Sequence, residues 1–316
     1  MLHQPVISSE VSLMFARCKP HISLFSFGDH DSLRFASYSC LATMPSLNML
    51  KFARKIVCAP RAFFLFAKLY GWRVAMTLTG LRVKVALGAP EPASARIKTR
   101  HARYPVIARL GNSSDLKVFR QIFVNDEYAC MRNISGAFIL DLGANVGFTS
   151  AYFLSRFPAA KVLAVEPDPG NFEQCRQNLA PYGDRAKVLL GAAWSTHSRL
   201  ALSPGTLGEW GIQVVEGEGQ QATVEAWDVP GLLQLAGEEQ IDLLKVDIER
   251  SELQVFGRSS SSWLPRVRNI CIELHGEDCK CVFFEALKEF EYDLECSGEL
   301  TITKNLRPRP NPNQGI

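Results

Sequence analysis

An α/β fold, a doubly wound and mostly parallel sheet covered by helices, is predicted by three observations. From residue 138 onward, short apolar runs of strand length alternate with stretches of helical period. The run 138–142 carries Asp141 near its end and turns through Gly143 and Gly147 into a helical pattern. A second apolar run, 161–165, leads into Glu166, an acidic residue about 20 positions beyond that turn.

The elements follow in order. Apolar residues recur at helical spacing with basic residues between them from 47 to 70, with a break at Pro60, and again over 74–87. Pro90, Glu91 and Pro92 read as a linker. Beyond it the pattern predicts a strand at 138–141, a helix at 147–156, a strand at 161–166 and a helix at 169–179. Further strands are expected at 187–192, 241–247 and 269–275, with helices at 251–256 and 282–290. Glycine-rich turns between 200 and 228 suggest a β insertion, and strand-like runs at 292–296 and 300–303 end the pattern. The domain reading is a flexible extension (1–43), a basic amphipathic helical segment (44–94), a catalytic domain (95–306) and a disordered tail (307–316). Met44 is an alternative start.

Composition narrows the class. Of 316 residues, 47% are hydrophobic and 21% charged, which fits a globular protein. A net charge of +3 is too small to imply nucleic acid. Its distribution is uneven: residues 32–90 contain no Asp or Glu but nine Lys and Arg. Such a stretch can pack as an accessory layer with its basic residues solvated, the reading adopted, or lie through residues 47–87 on an anionic membrane. No secretory leader is visible, and no run reaches ~18 uncharged apolar residues. Nine cysteines fit free thiols in a reducing compartment, so a cytoplasmic protein is expected, peripheral to a membrane if the basic stretch docks there. His275, Cys279 and Cys281 lack a second cluster, and no metal is assigned. Oligomeric state is not legible.

The turn after the first strand identifies the ligand class. A dinucleotide-binding turn places its second glycine where this chain has Asn145, and Asp141 would repel a pyrophosphate. A carboxylate there suits a cofactor carrying an ammonium and a sulfonium. In open parallel sheets ligands bind at the carboxyl ends of strands. Those ends carry Asp141, Glu166 and Asp168, then Ala193 and Trp194, Lys245 and Asp247, and Glu273 and His275. Alternation places Lys245 with Asp247, and Glu273 with His275, on common faces.

These motifs together, Asp141-Leu-Gly-Ala-Asn-Val-Gly147, Glu166-Pro-Asp168, Lys245-Val-Asp-Ile-Glu-Arg-Ser-Glu252 and Ile272-Glu-Leu-His275, resemble the FkbM family of S-adenosylmethionine-dependent methyltransferases. An upstream element from Arg109 to Asp115, with Phe119, Phe123, Glu127 and Tyr128, is similar to the segment before that family's first strand. The family has a glycine where this chain has Arg250. The resemblance spans about residues 100–300. It implies a seven-stranded, Rossmann-like class I sheet and methyl transfer to a hydroxyl of a small molecule or glycan. It further implies cofactor contacts from Asp141, Gly143, Asn145, Gly147, Glu166, Asp168, Ala193, Trp194 and Asp247. Catalytic roles are expected for Asp247, for His275 as a neutral general base, and for Lys245 as a charge partner. The rivals are a nicotinamide-dependent oxidoreductase and a non-catalytic relative.

Overall fold

The computed structural model describes residues 59–310 apart from 112, 135, 205–211 and 216–222. The expectations for 1–58, for the middle of the insertion and for 311–316 lie outside the described residues.

Two helices, α1 (Ala59–Tyr70) and α2 (Trp72–Ala86), come first and pack on one another across Gly71. A small antiparallel pair follows, β1 (Ser94–Ile97) and β2 (Val106–Arg109). Short α3 (Asp115–Phe119) runs into a π-helical turn at Arg120–Val124. The central sheet then begins with β3 (Phe138–Leu142), α4 (Phe148–Arg156), β4 (Lys161–Glu166), α5 (Pro169–Leu179) and β5 (Ala186–Leu190). The insertion holds β6 (Ala192–Ala193), β7 (Ser198–Pro204), β8 (Ile212–Val215) and β9 (Thr223–Trp227), which form their own four-stranded sheet. The chain returns through α6 (Val229–Ala236), β10 (Leu243–Val246), α7 (Glu252–Val255), β11 (Ile270–Glu273) and α8 (Glu277–Ala286). It closes with the hairpin β12 (Phe290–Ser297) and β13 (Leu300–Pro308).

The central sheet has seven strands in the order β12-β13-β11-β10-β3-β4-β5. Its five inner-to-edge strands β11 to β5 run parallel, and β13 pairs antiparallel to β11. The order reverses between β3 and β10, so a crevice opens at their carboxyl ends. Asp242 helps fix this register: its carboxylate accepts the backbone N–H groups of Ala137 and Phe138 at 2.8 and 2.9 Å.

Strand alternation sorts the core into two layers. Phe138, Leu140, Leu142, Leu244, Val246, Ile270 and Ile272 pack with α6, α7 and α8. Ile139, Leu243 and Cys271 face the layer of α4, α5 and the amino-terminal helices. Asp141, Lys245, Asp247, Glu273 and His275 share the parity of this second set. The same core includes Phe66, Tyr70, Val74, Ala75 and Leu78, so α1 and α2 are a layer of the domain and not a detached module.

β13 and the last helix depart furthest from the boundaries the sequence predicts. β13 continues to Pro308, and Arg309 N–H donates to the Glu289 carbonyl at 2.8 Å, because the hairpin partner β12 still offers ladder positions there. The first proline of the tail therefore belongs to β13, past Thr303 where the pairing with β11 ends, so its β11 side is open as proline requires. The last helix starts at Glu277 rather than 282, directly after Gly276, whose φ of 119° ends the preceding strand segment.

Candidate active site

The glycine turn is closed by its own backbone. Gly143 and Ala144 N–H both donate to the Val165 carbonyl at 3.0 Å, and Asn145 N–H donates to the Glu166 carboxylate at 2.7 Å. Three successive donors are thus consumed inside the protein, and a pyrophosphate would find none of them free. Gly143 has φ 75°, and a Cβ there would lie 1.8 Å from the Asp247 carbonyl oxygen. Glycine is required because the β3 turn packs on the β10 turn, not because a ligand must touch it. Asn145 holds φ 49° and keeps a buried side-chain oxygen without a partner.

Glu166 ends β4 with both oxygens anchored, one by Asn145 N–H and the other by Asp168 N–H at 3.0 Å. Each oxygen retains acceptor capacity toward the cavity it lines. Burial pushes its carboxyl up to about 7, although the two backbone N–H groups pull the other way.

Under the turn lies a buried ionic keel. Asp141 is wholly buried, accepts the Ser150 hydroxyl at 2.6 Å and stands 3.2 Å from the Lys245 ammonium. Lys245 also donates to the Gly143 carbonyl at 2.6 Å and reaches Asp247 at 3.8 Å. Burial alone would lower the Lys245 pKa, but Asp141 and Asp247 hold the ammonium charged and raise it.

Beside the turn, the ends of β10 and β11 build an acidic half. His275 Nδ1 pairs with the fully buried Glu252 at 2.8 Å. Its Nε2 stands 3.7 Å from Glu249, 3.7 Å from Glu273 and 3.8 Å from Asp247. Burial would favour neutral imidazole, yet Glu252 and the other carboxylates outweigh it and raise His275 to about 9. Burial and then Asp247 push Glu273 up to about 7, with His275 opposing. Glu127 is also raised, by burial first. Cys279 is buried against Glu252 and Cys281 is exposed, so they form no cluster with His275. Asp247, Glu249 and His275 do offer ligand atoms within 4.8 Å of one another, a set of cation-ligating type.

Both halves line one cavity of about 920 Å³, which also takes in Arg120, Gln121, Glu127, Ala193 and Glu299. That volume lies within the range of small-molecule sites, roughly 300–1,000 Å³.

The structure places the expected residues unequally. Gly143, Asn145, Glu166, Ala193, Lys245, Asp247 and His275 line the cavity. Asp141 does not: β-sheet parity puts it beneath the turn, where it neutralises Lys245. Gly147, with φ 80°, opens α4, and a Cβ there would fall 2.8 Å from the Cys175 sulfur, so it serves helix packing. Asp168 caps α5, its carboxylate accepting Asn171 N–H at 2.7 Å. Trp194 turns into the small cluster of the second sheet with Leu200 and Val224. His275 as a neutral base is corrected, since four surrounding carboxylates keep it protonated near neutrality. Arg250 keeps the left-handed backbone that a glycine would supply, with φ 75°. Its guanidinium is held by Asp278 and by the His275 carbonyl.

Sequence reading missed Glu127, Glu252 and Glu299 as site residues. Glu252 carried a signal, being the second acid of the β10 motif. Glu127 carried one too, in the element upstream of the first strand, whereas Glu299 lies in the β12–β13 turn with no period to read.

Residues 141–294 match the family model described as the methyltransferase FkbM domain. That stretch, just under half of the chain, is similar to this domain. Among curated relatives, the chain is 29% identical over 190 residues to methyltransferase sdnD of Sordaria araneosa, covering 49% of itself and 73% of that protein. It is 28% identical over 184 residues to the 2-O-methyltransferase NoeI of Sinorhizobium fredii, covering 52% and 72%. A third match, 27% over 209 residues, covers 54% of this chain but only 10% of the antimetabolite synthetase AmbE of Pseudomonas aeruginosa. The matched region runs from within β3 to within β12 and takes in Glu166, Asp247, Glu273 and His275, but not Glu127, Glu299, α1 or α2.

The residues fit S-adenosylmethionine. Glu166 presents two acceptor oxygens for a ribose diol, Asn145 an unpartnered buried oxygen for a donor, and the neighbouring carboxylates suit a cationic group. The same arrangement does not fit a dinucleotide.

Proposed function

We propose that the protein transfers a methyl group from S-adenosylmethionine to a hydroxyl oxygen of a small molecule or glycan. The observation that carries this reading is the single cavity joining the Glu166 turn to the acidic ends of β10 and β11. The similarity to the FkbM domain supports methyl transfer, and the printed activity of NoeI supports oxygen as the acceptor. When bound, the cofactor supplies a methyl group on a positive sulfonium, which leaves as a neutral thioether.

The protein's task is to align and to move one proton. Glu166 and Asn145 hold the nucleoside, while Asp247, at the end of β10, stands between the turn and the acceptor subsite. Glu273 lies beside it on the neighbouring strand and takes the hydroxyl proton as the acceptor oxygen forms its bond to the methyl carbon. A carboxyl near 7 matches that role around neutral pH. His275, held protonated by Glu252, balances the negative charge that gathers there. Lys245 stays a charged strut between the two turns and moves no proton.

Incubating cell extract with enzyme and isotopically methyl-labelled cofactor, followed by mass spectrometry, tests the reading. Labelled methyl ethers are expected. Label recovered only on nitrogen or carbon, or none in any acceptor, would overturn it.

A further inference from the structure

Helices α1 and α2 have two faces of different chemistry. The inner face buries Phe66, Tyr70, Val74, Ala75 and Leu78 in the domain core. This packing sets α1 against the π-helical turn Arg120–Val124, whose Arg120 and Gln121 line the cavity. The outer face leaves Phe64 71%, Trp72 58% and Met76 53% exposed. A single exposed apolar residue is ordinary, but three large ones on one helical pair, two of them aromatic, call for an occupant.

Charge selects that occupant. Lys68, Arg73 and Lys84 are exposed on the same two helices, and no Asp or Glu occurs between residues 32 and 90. A second copy of this chain seated face to face would set these basic residues against one another, which is unfavourable. A purely basic rim around aromatic anchors is complementary to anionic headgroups over an acyl boundary. The Arg73 guanidinium lies 5.2 Å from the Trp72 ring centre, a pairing that places a cation beside an interfacial indole. No helix among the described residues is long and apolar enough to cross a membrane.

We propose that the outer face of α1 and α2 seats the protein on an anionic lipid surface. Phe64, Trp72 and Met76 enter the headgroup boundary, and Lys68, Arg73 and Lys84 lie on lipid phosphates. Because α1 packs on the turn carrying Arg120 and Gln121, the seated protein holds one wall of its cavity close to the bilayer. Acceptors that partition into membranes are thereby favoured over freely diffusing ones.

Flotation of the full chain tests this, using phosphatidylcholine vesicles with and without phosphatidylserine. The protein is expected to float only with the anionic vesicles and to be released by high salt. The double variant Phe64→Glu/Trp72→Glu should lower the vesicle-bound fraction about tenfold or more, with circular dichroism and S-adenosylmethionine affinity unchanged. Failure of the wild-type chain to float, or equal flotation of the double variant, would overturn the proposal. So would a wild-type dimer that the double variant converts to monomer without any vesicle binding. Cofactor affinity, measured separately, reports on the methyl-transfer reading and is not touched by either result.

Discussion

The two halves of the cavity are built by different means. The cofactor half is a backbone construction: one strand, one turn and the carbonyl and carboxylate of the next strand close it within 26 residues, from Asp141 to Glu166. The acceptor half is a side-chain construction, gathering Glu127, Asp247, Glu249, Glu273, His275 and Glu299 from four separate segments. Local backbone geometry restricts residue type position by position. An assembly of distant carboxylates restricts only the total charge. The first half is therefore rigid and tuned for one ligand class, and the second can be adapted to different acceptors without disturbing the first.

Four substitutions sharpen that contrast, beginning with the largest effect. Asp141→Ala should destabilise the fold by about 3–5 kcal/mol in urea denaturation, because it leaves the Lys245 ammonium buried without its partner. A loss of cofactor affinity at unchanged stability would instead put Asp141 in the ligand site. In the other half, Glu273→Gln should cut turnover roughly 10²–10⁴-fold while the fold and cofactor affinity persist. Wild-type turnover should rise with pH through about 7 as Glu273 ionises and fall above about 9 as His275 loses its proton. With cofactor saturating, so that Glu166 ionisation does not enter, abolition of the rising limb in Glu273→Gln supports the assignment, and its persistence shifts the base to another residue.

His275→Gln discriminates further, with a smaller effect. It should remove the limb near 9 and leave the rise near 7. The linkage has a definite sign: the folded-state value of about 9 exceeds the unfolded ~6.5. The stability His275 contributes is therefore complete below ~6.5 and lost as pH rises through about 9. Thermal melts of wild type and variant across that window should converge at the alkaline end. The smallest change is expected of Arg250→Gly, which relieves a left-handed backbone but removes the tie to Asp278; the two effects should nearly cancel, within about 1 kcal/mol. Destabilisation well beyond that would mean the guanidinium clamp, not the backbone, fixes the loop.

The same division decides what the sequence reveals. Alternating apolar runs predict every strand of the central sheet, and the glycine turn with Glu166 marks the half of the cavity proposed for the cofactor. Parity also puts Lys245 with Asp247 and Glu273 with His275 on one face. Protonation state is another matter, since His275 becomes an imidazolium only when Glu252 folds back from α7 onto it. Gly143 and Gly147 are legible as required glycines, but their reasons, the Asp247 carbonyl and the Cys175 sulfur, arise from contacts across the sheet. Trp194 and Asp168 sit at strand ends in sequence and turn away in space, one to the second sheet and one to a helix cap.

Calorimetric titration of the wild-type protein and of Glu166→Ala with S-adenosylmethionine, and of both with NADH, bears most directly on the cofactor half. Binding of S-adenosylmethionine to wild type, weakened roughly 10–100-fold in the variant, is expected from hydrogen bonds to a charged group worth ~1.5–3 kcal/mol. Wild-type affinity should climb with pH through about 7 as Glu166 ionises. NADH should give no heat of binding. Saturable binding of NADH with none of S-adenosylmethionine, or a folded Glu166→Ala protein with unaltered affinity, would contradict the assignment of this turn.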